Sequence, residues 1–236
     1  MKGISSMATR HLLTDLAEAA SVSGLPRVRM ESMGGVDAAR RVAAGEPCDL
    51  VFLAADALAA LAAGGHLDQS TVTELVISQV AVAVGASEDS VAVRPAAPAF
   101  PDAAAMRAAL QAATRIGYST GPSGTALVRM IEAWGLADAI RPKLVQARPG
   151  VPVASLVAQG EVDLGFQQLS ELVGQTGIRL LGVLPGDATI DTVFAGAVSA
   201  RSSHAMAARS VLDWFVSAPA SSIVEAHSFR PAGSGS

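Results

Sequence analysis

Ile116-Gly-Tyr-Ser-Thr-Gly-Pro-Ser-Gly-Thr125 runs without a break into Ala126-Leu-Val-Arg-Met-Ile-Glu-Ala-Trp-Gly135. An apolar strand end meets a loop of Gly, Ser, Thr and Pro. A helix-period run follows, with Leu127, Met130, Ile131 and Trp134 on one face. Small residues such as Gly124 let a ligand approach the backbone closely, and the free N–H groups of a helix start attract an anion. Ser119, Thr120, Ser123 and Thr125 add hydroxyl donors. Ser and Thr are also ordinary helix caps. The stretch gains weight because similar junctions recur along the chain.

Upstream, Lys2 to Ser5 reads as a short strand, and Met7 to Ala20 as a helix that turns Leu12, Leu13, Leu16 and Ala17 to one side. Arg27 to Glu31 alternates as a second strand. Ser32-Met-Gly-Gly-Val36 is a loop, and Asp37 is placed to cap a helix through Ala44. Asp49 to Leu53 is a buried strand, and Ala54-Ala-Asp56 opens a third helix. Three consecutive β-α units predict a mostly parallel sheet with helices on its faces. Downstream, strands are expected at 114–118, 143–146, 163–166 and 180–184, and helices at 103–113, 125–134, 152–158, 170–174, 203–217 and 219–227. The valine-rich runs 75–85 and 192–199 each join one β-α set to the next. The reading is therefore two α/β lobes joined by two crossover strands: lobe I from 1–82 plus 199–236, lobe II from 83–198. A cleft between lobes is where such folds place small-molecule sites.

Composition bounds the function. Half of the 236 residues are hydrophobic and only 4% aromatic, so the core rests on Ala, Val, Leu and Ile. The net charge is −4 and no basic cluster stands out, which argues against a nucleic-acid partner. No apolar run is long enough to span a membrane. The single cysteine, Cys48, excludes an intrachain disulfide and a Cys-rich zinc site. His11, His66, His204 and His227 lie on separate elements without metal-ligand spacing. There is no P-loop, no GxGxxG and no Ser-His-Asp order, so neither a metal nor a cofactor is expected. No apolar signal region precedes the first helix. A native N-terminus would then mean a cytoplasmic protein, and a trimmed one a periplasmic protein. The tail from Pro231 to Ser236 reads as a loose end.

Gly45-Glu-Pro-Cys-Asp-Leu-Val-Phe-Leu-Ala-Ala-Asp56 resembles the corresponding segment of periplasmic molybdate-binding proteins, and Pro122-Ser-Gly-Thr125 and Gly160-Glu-Val-Asp-Leu-Gly-Phe166 fall where that family has its second-lobe binding helix and late strand. The resemblance covers nearly the whole chain. It implies the type II periplasmic-binding-protein fold, a small anion held in the cleft, and an ABC transporter as partner for an exported protein. Molybdate binders carry a serine at the first helix start and another at the second. Here those places fall at about Ala8 and within Gly34-Gly35-Val36, and Gln168 stands where the family has a tyrosine. The expected ligand is accordingly an organic di- or tricarboxylate ahead of molybdate. Aconitate isomerase is similar to these binding proteins in fold, so the scaffold also carries enzymes. The alternative reading is an isomerase of an unsaturated carboxylic acid, working by proton abstraction and return.

The ligand candidates are Ser5, Ser6, Arg10, Gly34, Gly35, Ser119, Thr120, Ser123, Gly124, Thr125, Arg148, Gly150, Gln167 and Gln168. Arginines suit a bidentate hold on a carboxylate, and amides after an apolar strand suit a neutral, orienting contact. For an isomerase, His11 and Tyr118 are the titratable groups that remain to move a proton.

Overall fold

The computed structural model describes residues 1–148 and 150–233; Pro149 and the last three residues of the expected loose tail lie outside the described residues. The chain divides into two compact α/β units, Met1–Ser78 with the chain from Thr192 on, and Gln79–Asp191. The division cuts a 13-residue strand, β4 (Thr73–Gly85), and falls at the start of β9 (Asp191–Val198).

In the first unit β1 (Lys2–Ser6) lies between β2 (Arg29–Met33) and β3 (Leu50–Ala54), parallel to both, and β9 runs antiparallel to β3. The first part of β4 follows β9, and the two-residue β10 (Arg230–Pro231) pairs with it. The parallel sheet expected from the β-α repeats is thus extended by antiparallel strands where the chain crosses over. β3 is buried on both faces, and its alternation builds both halves of the core. Leu50 and Phe52 pack with Leu12, Leu13 and Leu16 of α1 (Arg10–Val22) and with Val211, Leu212 and Phe215 of α9 (Ala205–Phe215). Val51 and Leu53 pack with Ala38 and Val42 of α2 (Gly35–Ala43) and Leu58 and Leu61 of α3 (Ala55–Ala63).

The second unit repeats the plan. Its order is β8 (Ile178–Val183), the rest of β4, β7 (Leu164–Gln168), β5 (Ile116–Tyr118), β6 (Leu144–Gln146). β5 is parallel to β6 and β7, and β4 is antiparallel to β7 and β8. Val80 and Val82 face α4 (Ala103–Ala112) and α5 (Pro122–Ala133), whereas Ala81 and Ala83 face α7 (Val153–Ala158). The remaining short helices are α6 (Ala137–Ile140) and α8 (Leu169–Leu172), and α10 (Ala218–Ala226) closes the first unit's core through Ala220 and Val224.

Several local expectations shift. β2 begins two residues later than its alternation indicates, because backbone pairing aligns Arg29 with Lys2 and Met33 with Ser6. The helix expected from Met7 opens with a 3-10 turn, Met7–Thr9. α5 starts three residues earlier than the apolar period marks, with Pro122 in its first turn, where a missing N–H costs nothing. Asp37 does not cap α2: Gly34 is the capping residue, and Asp37 accepts from Arg40 Nη2 at 2.7 Å. Gln167 and Gln168 are the last two residues of β7 itself. No helix among the described residues is long and apolar enough to cross a membrane.

Candidate functional site

Parallel strands end level with one another, so their register states which residues share the carboxyl edge. In the first unit Ser6 pairs with Met33, and the residues that follow, Met7 and Gly34, open the next elements; Ala54 ends β3 at the same edge. In the second unit Tyr118 pairs with both Gln146 and Phe166, so Ser119, Ala147 and Gln167 form the next row.

At the helices that leave these edges, the residue in the capping position supplies no side-chain cap. Those residues are Ser6, Gly34, Ala54, Gly121, Pro152 and Gln168, and none of their side chains accepts from a first-turn backbone N–H. Asp68 and Asp102, by contrast, cap their own turns through carboxylate oxygens.

In the first unit, Ser5 is fully buried and its Oγ lies 2.7 Å from Ser32 Oγ. Ser6 Oγ lies 3.4 Å from Thr9 Oγ1, whose hydroxyl also donates to the Ser6 carbonyl. The start of α2 stands beside this group: a Cβ on Gly35 would come within 3.8 Å of Ser6 Cβ. Ser5, Ser6, Gly34 and Gly35 are thereby brought together. Ser32 and Thr9 join them, unmarked by the sequence reading; the available signal was a hydroxyl at the end of an alternating strand. Val36, in the first turn of α2, is 77% exposed.

Arg10 and His11 sit in the first turn of α1 and are exposed. Arg10 Nη2 donates to His11 Nε2 at 2.8 Å. Burial and then the neighbouring Arg10 and His227 charges push the His11 pKa below its ordinary value, Asp15 opposing. The Nε2 lone pair of His11 is occupied by Arg10.

In the second unit Ser119, Gly121, Ser123, Gly124 and Tyr118 form one cluster. Ser119 Oγ and Ser123 Oγ are 3.0 Å apart, and the Gly121 N–H donates to Ser119 Oγ at 3.3 Å. Gly124 is required here. A Cβ at this position would lie 1.9 Å from the Ser119 carbonyl oxygen and 3.0 Å from the Tyr118 ring. Thr125 Oγ1 turns back to the Gly121 carbonyl at 3.4 Å, and Thr120 is exposed in the loop. No acidic residue stands in the first turn of α5 to offset the positive end of its dipole. Tyr118 is half-buried against the core.

Gln167 is 4% exposed, and its Oε1 accepts from the Val153 N–H at 2.9 Å, which satisfies the first turn of α7. This long-range cap is a structural role the sequence reading did not assign to it. Gln168, beside it, is also buried. Arg148 and Gly150 are exposed on the loop ahead of α7, Gly150 with φ +80°. Among the described residues no group of three His, Cys, Asp or Glu side chains is arranged to hold a metal.

The chain matches the family described as bacterial extracellular solute-binding protein over residues 2–230. It is 34% identical over 202 residues to an aconitate isomerase from Pseudomonas sp, which covers 85% of this chain and 74% of the relative. Among solved structures it superimposes on the periplasmic molybdate-binding protein of Azotobacter vinelandii with a TM-score of 0.75 at 19% identity, covering 97% of this chain and 98% of that one. The sulfate-binding protein SubI from Mycobacterium tuberculosis H37Rv gives a TM-score of 0.76 at 18% identity, over 99% and 87%. At such identities the structural likeness establishes the fold alone: two α/β units joined through crossover strands, the type II periplasmic-binding-protein fold.

Proposed function

This chain belongs to the bacterial extracellular solute-binding protein family, and from that premise we propose that it binds a small organic acid, a di- or tricarboxylate, at the carboxyl ends of its parallel strands. The observation that carries the reading is the start of α5. There a twelve-residue helix begins at a glycine, without a side-chain cap or an acidic residue, beside the hydroxyls of Ser119 and Ser123. Such a start favours a carboxylate through its open N–H groups and its dipole. The first unit, taken by itself, has starts of the same kind at Ser6 and Gly34. The neighbours named for molybdate and sulfate support anion binding in general, and the relative named as an aconitate isomerase supports an organic acid. For an exported protein, the partner would be an ABC transporter.

The test is a thermal-shift screen across oxyanions and carboxylates, followed by titration calorimetry. A ligand that binds only the folded state raises the melting temperature. A di- or tricarboxylate should do so, and a response confined to inorganic oxyanions would overturn the proposal.

The 34% identity to an aconitate isomerase favours a second reading, turnover of an unsaturated acid. An isomerase must remove a proton from carbon and return one, while dipoles hold the developing enolate. The lowered pKa of His11 favours the neutral form that a base requires, but the ring must first release Arg10. Incubation with cis-aconitate in deuterated water, followed by proton NMR, separates the readings. Isomer conversion with deuterium uptake above a protein-free control would place turnover first, and loss of that conversion in His11→Gln would identify the base.

A further inference from the structure

The second unit contains a hollow of about 140 Å³, lined by Gln79, Arg94, Ala96, Ala97, Leu169 and Val183 together with the prolines of the same loop. That is room for roughly ten waters by the same measure of volume. Arg94 is the only charged residue among the described residues that line it.

The loop that carries Arg94 is held in place. The Ala99 N–H donates to the Val183 carbonyl at 2.8 Å, and Pro98 bridges to Val183. β8 bulges here: Val82 faces Gly182 and Ala83 faces Leu180, leaving Leu181 as the extra residue. Gly182 is the point of close approach. A Cβ on it would lie 2.2 Å from Ala99 N and 2.3 Å from the Ala97 carbonyl oxygen. The segment Arg94-Pro-Ala-Ala-Pro98 is therefore seated against β8 at a position only glycine permits.

The hollow also lies on the same edge of the sheet as the start of α5. Ala81 pairs with Gln167 and Val80 with Gln168, so Gln79 and Leu169 come next beyond the pairing. Ser119 stands in the row of Gln167 on β5, two strands from β4. Two strand spacings, about 10 Å, separate the Gln79 side of the hollow from the row of Ser119.

We infer that Arg94 takes a second carboxylate of the ligand, in this hollow, while the start of α5 takes the first. A guanidinium presents paired N–H donors that match a carboxylate, the Gln79 amide can orient the same group, and alanine and proline walls leave the space open. The inference rests on the proposed binding of an organic acid. It makes Arg94 the residue that selects di- and tricarboxylates over monocarboxylates.

The experiment is calorimetric titration of propane-1,2,3-tricarboxylate and succinate into the wild type, Arg94→Met and Arg94→Lys, with melting curves for each. The melting curves separate any loss of fold in a variant from a loss of ligand, and affinities are compared at a temperature where each variant is folded. Arg94→Met should bind the two acids at least about tenfold more weakly, the loss of a charge-assisted pair. Arg94→Lys, which keeps the charge without the paired donors, should fall between. Unchanged affinity in both variants would overturn the role of Arg94 and leave the proposed function standing. Failure of the wild type to bind either acid would overturn both.

Discussion

Replacing Gly124 by alanine should test whether the start of α5 is built by contact with the preceding loop. The added Cβ would lie 1.9 Å from the Ser119 carbonyl oxygen, 2.9 Å from its carbon and 3.0 Å from the Tyr118 ring. Real Cβ atoms essentially never approach closer than 3.0 Å, so the helix and the Ser119 carbonyl must separate by about 1.1 Å. Both partners are backbone, which no side-chain rotation relieves. Tyr118 cannot retreat freely, because it packs on the core with Ile116, Leu127 and Phe166. Overpacking of this kind costs about 1–3 kcal/mol. The same displacement parts Ser119 from Ser123, now 3.0 Å apart, so ligand affinity should fall with stability. Urea unfolding of Gly124→Ala and of Gly186→Ala gives the measurement. Gly186 has no atom within 4 Å of a built Cβ, so its variant should stay within about 0.5 kcal/mol of the wild type. A Gly124→Ala protein as stable as that control, binding ligand unchanged, would refute the close approach.

Other expectations follow from single contacts. Gln167→Leu removes the acceptor for the Val153 N–H and leaves a buried donor unsatisfied; urea unfolding should show a loss of about 1–3 kcal/mol. Asp187 accepts from the Ala103 N–H through both oxygens, at 2.9 and 3.1 Å, and Asp187→Ala should cost about 1 kcal/mol by the same measurement. Burial opposes the charge of Asp49, yet hydrogen bonds from Ser202 Oγ, the Lys2 N–H and His204 outweigh it and hold the pKa below the ordinary 3.8. A depressed carboxylate stabilises the fold above its unfolded pKa and ceases to do so as pH falls through the folded one. The stability gap between the wild type and Asp49→Asn should therefore be full near pH 6 and shrink below about pH 4, and a pH-independent gap would refute the assignment. Molybdate and tungstate should bind weakly, since Ala8 and Gly34 to Val36 supply no hydroxyl; submicromolar affinity by calorimetry would contradict this.

The order of elements was legible because it is written in short-range periodicity. The alternation of β3 and the 3.6-residue period of α1 and α9 each lie within one window of sequence. Boundaries were less so. Pro122 and Ser123 read as loop, and only the packing of Gly124 on Ser119 shows that the helix has already begun. At the site, the hydroxyls of Ser5, Ser6, Ser119 and Ser123 could be named from their place at strand ends. The partnership of Gln167 with Val153 could not, because fourteen residues separate them and nothing local marks the pair. Arg94 was passed over for a similar reason: its loop has meaning only once Gly182 draws it onto β8.

The first unit is assembled from both ends of the chain, and this constrains its synthesis. The second unit is one continuous segment, Gln79–Asp191, whose partners have all left the ribosome before the first unit can close. Leu12, Leu13 and Leu16 of α1 must wait for Val211, Leu212 and Phe215, roughly two hundred residues later. Until then they are an exposed apolar stripe on a nascent chain, the kind of surface that chaperones cover. A premature stop within α9 would spare every residue of the second unit and still deprive the N-terminal strands of the core residues that α9 and α10 supply.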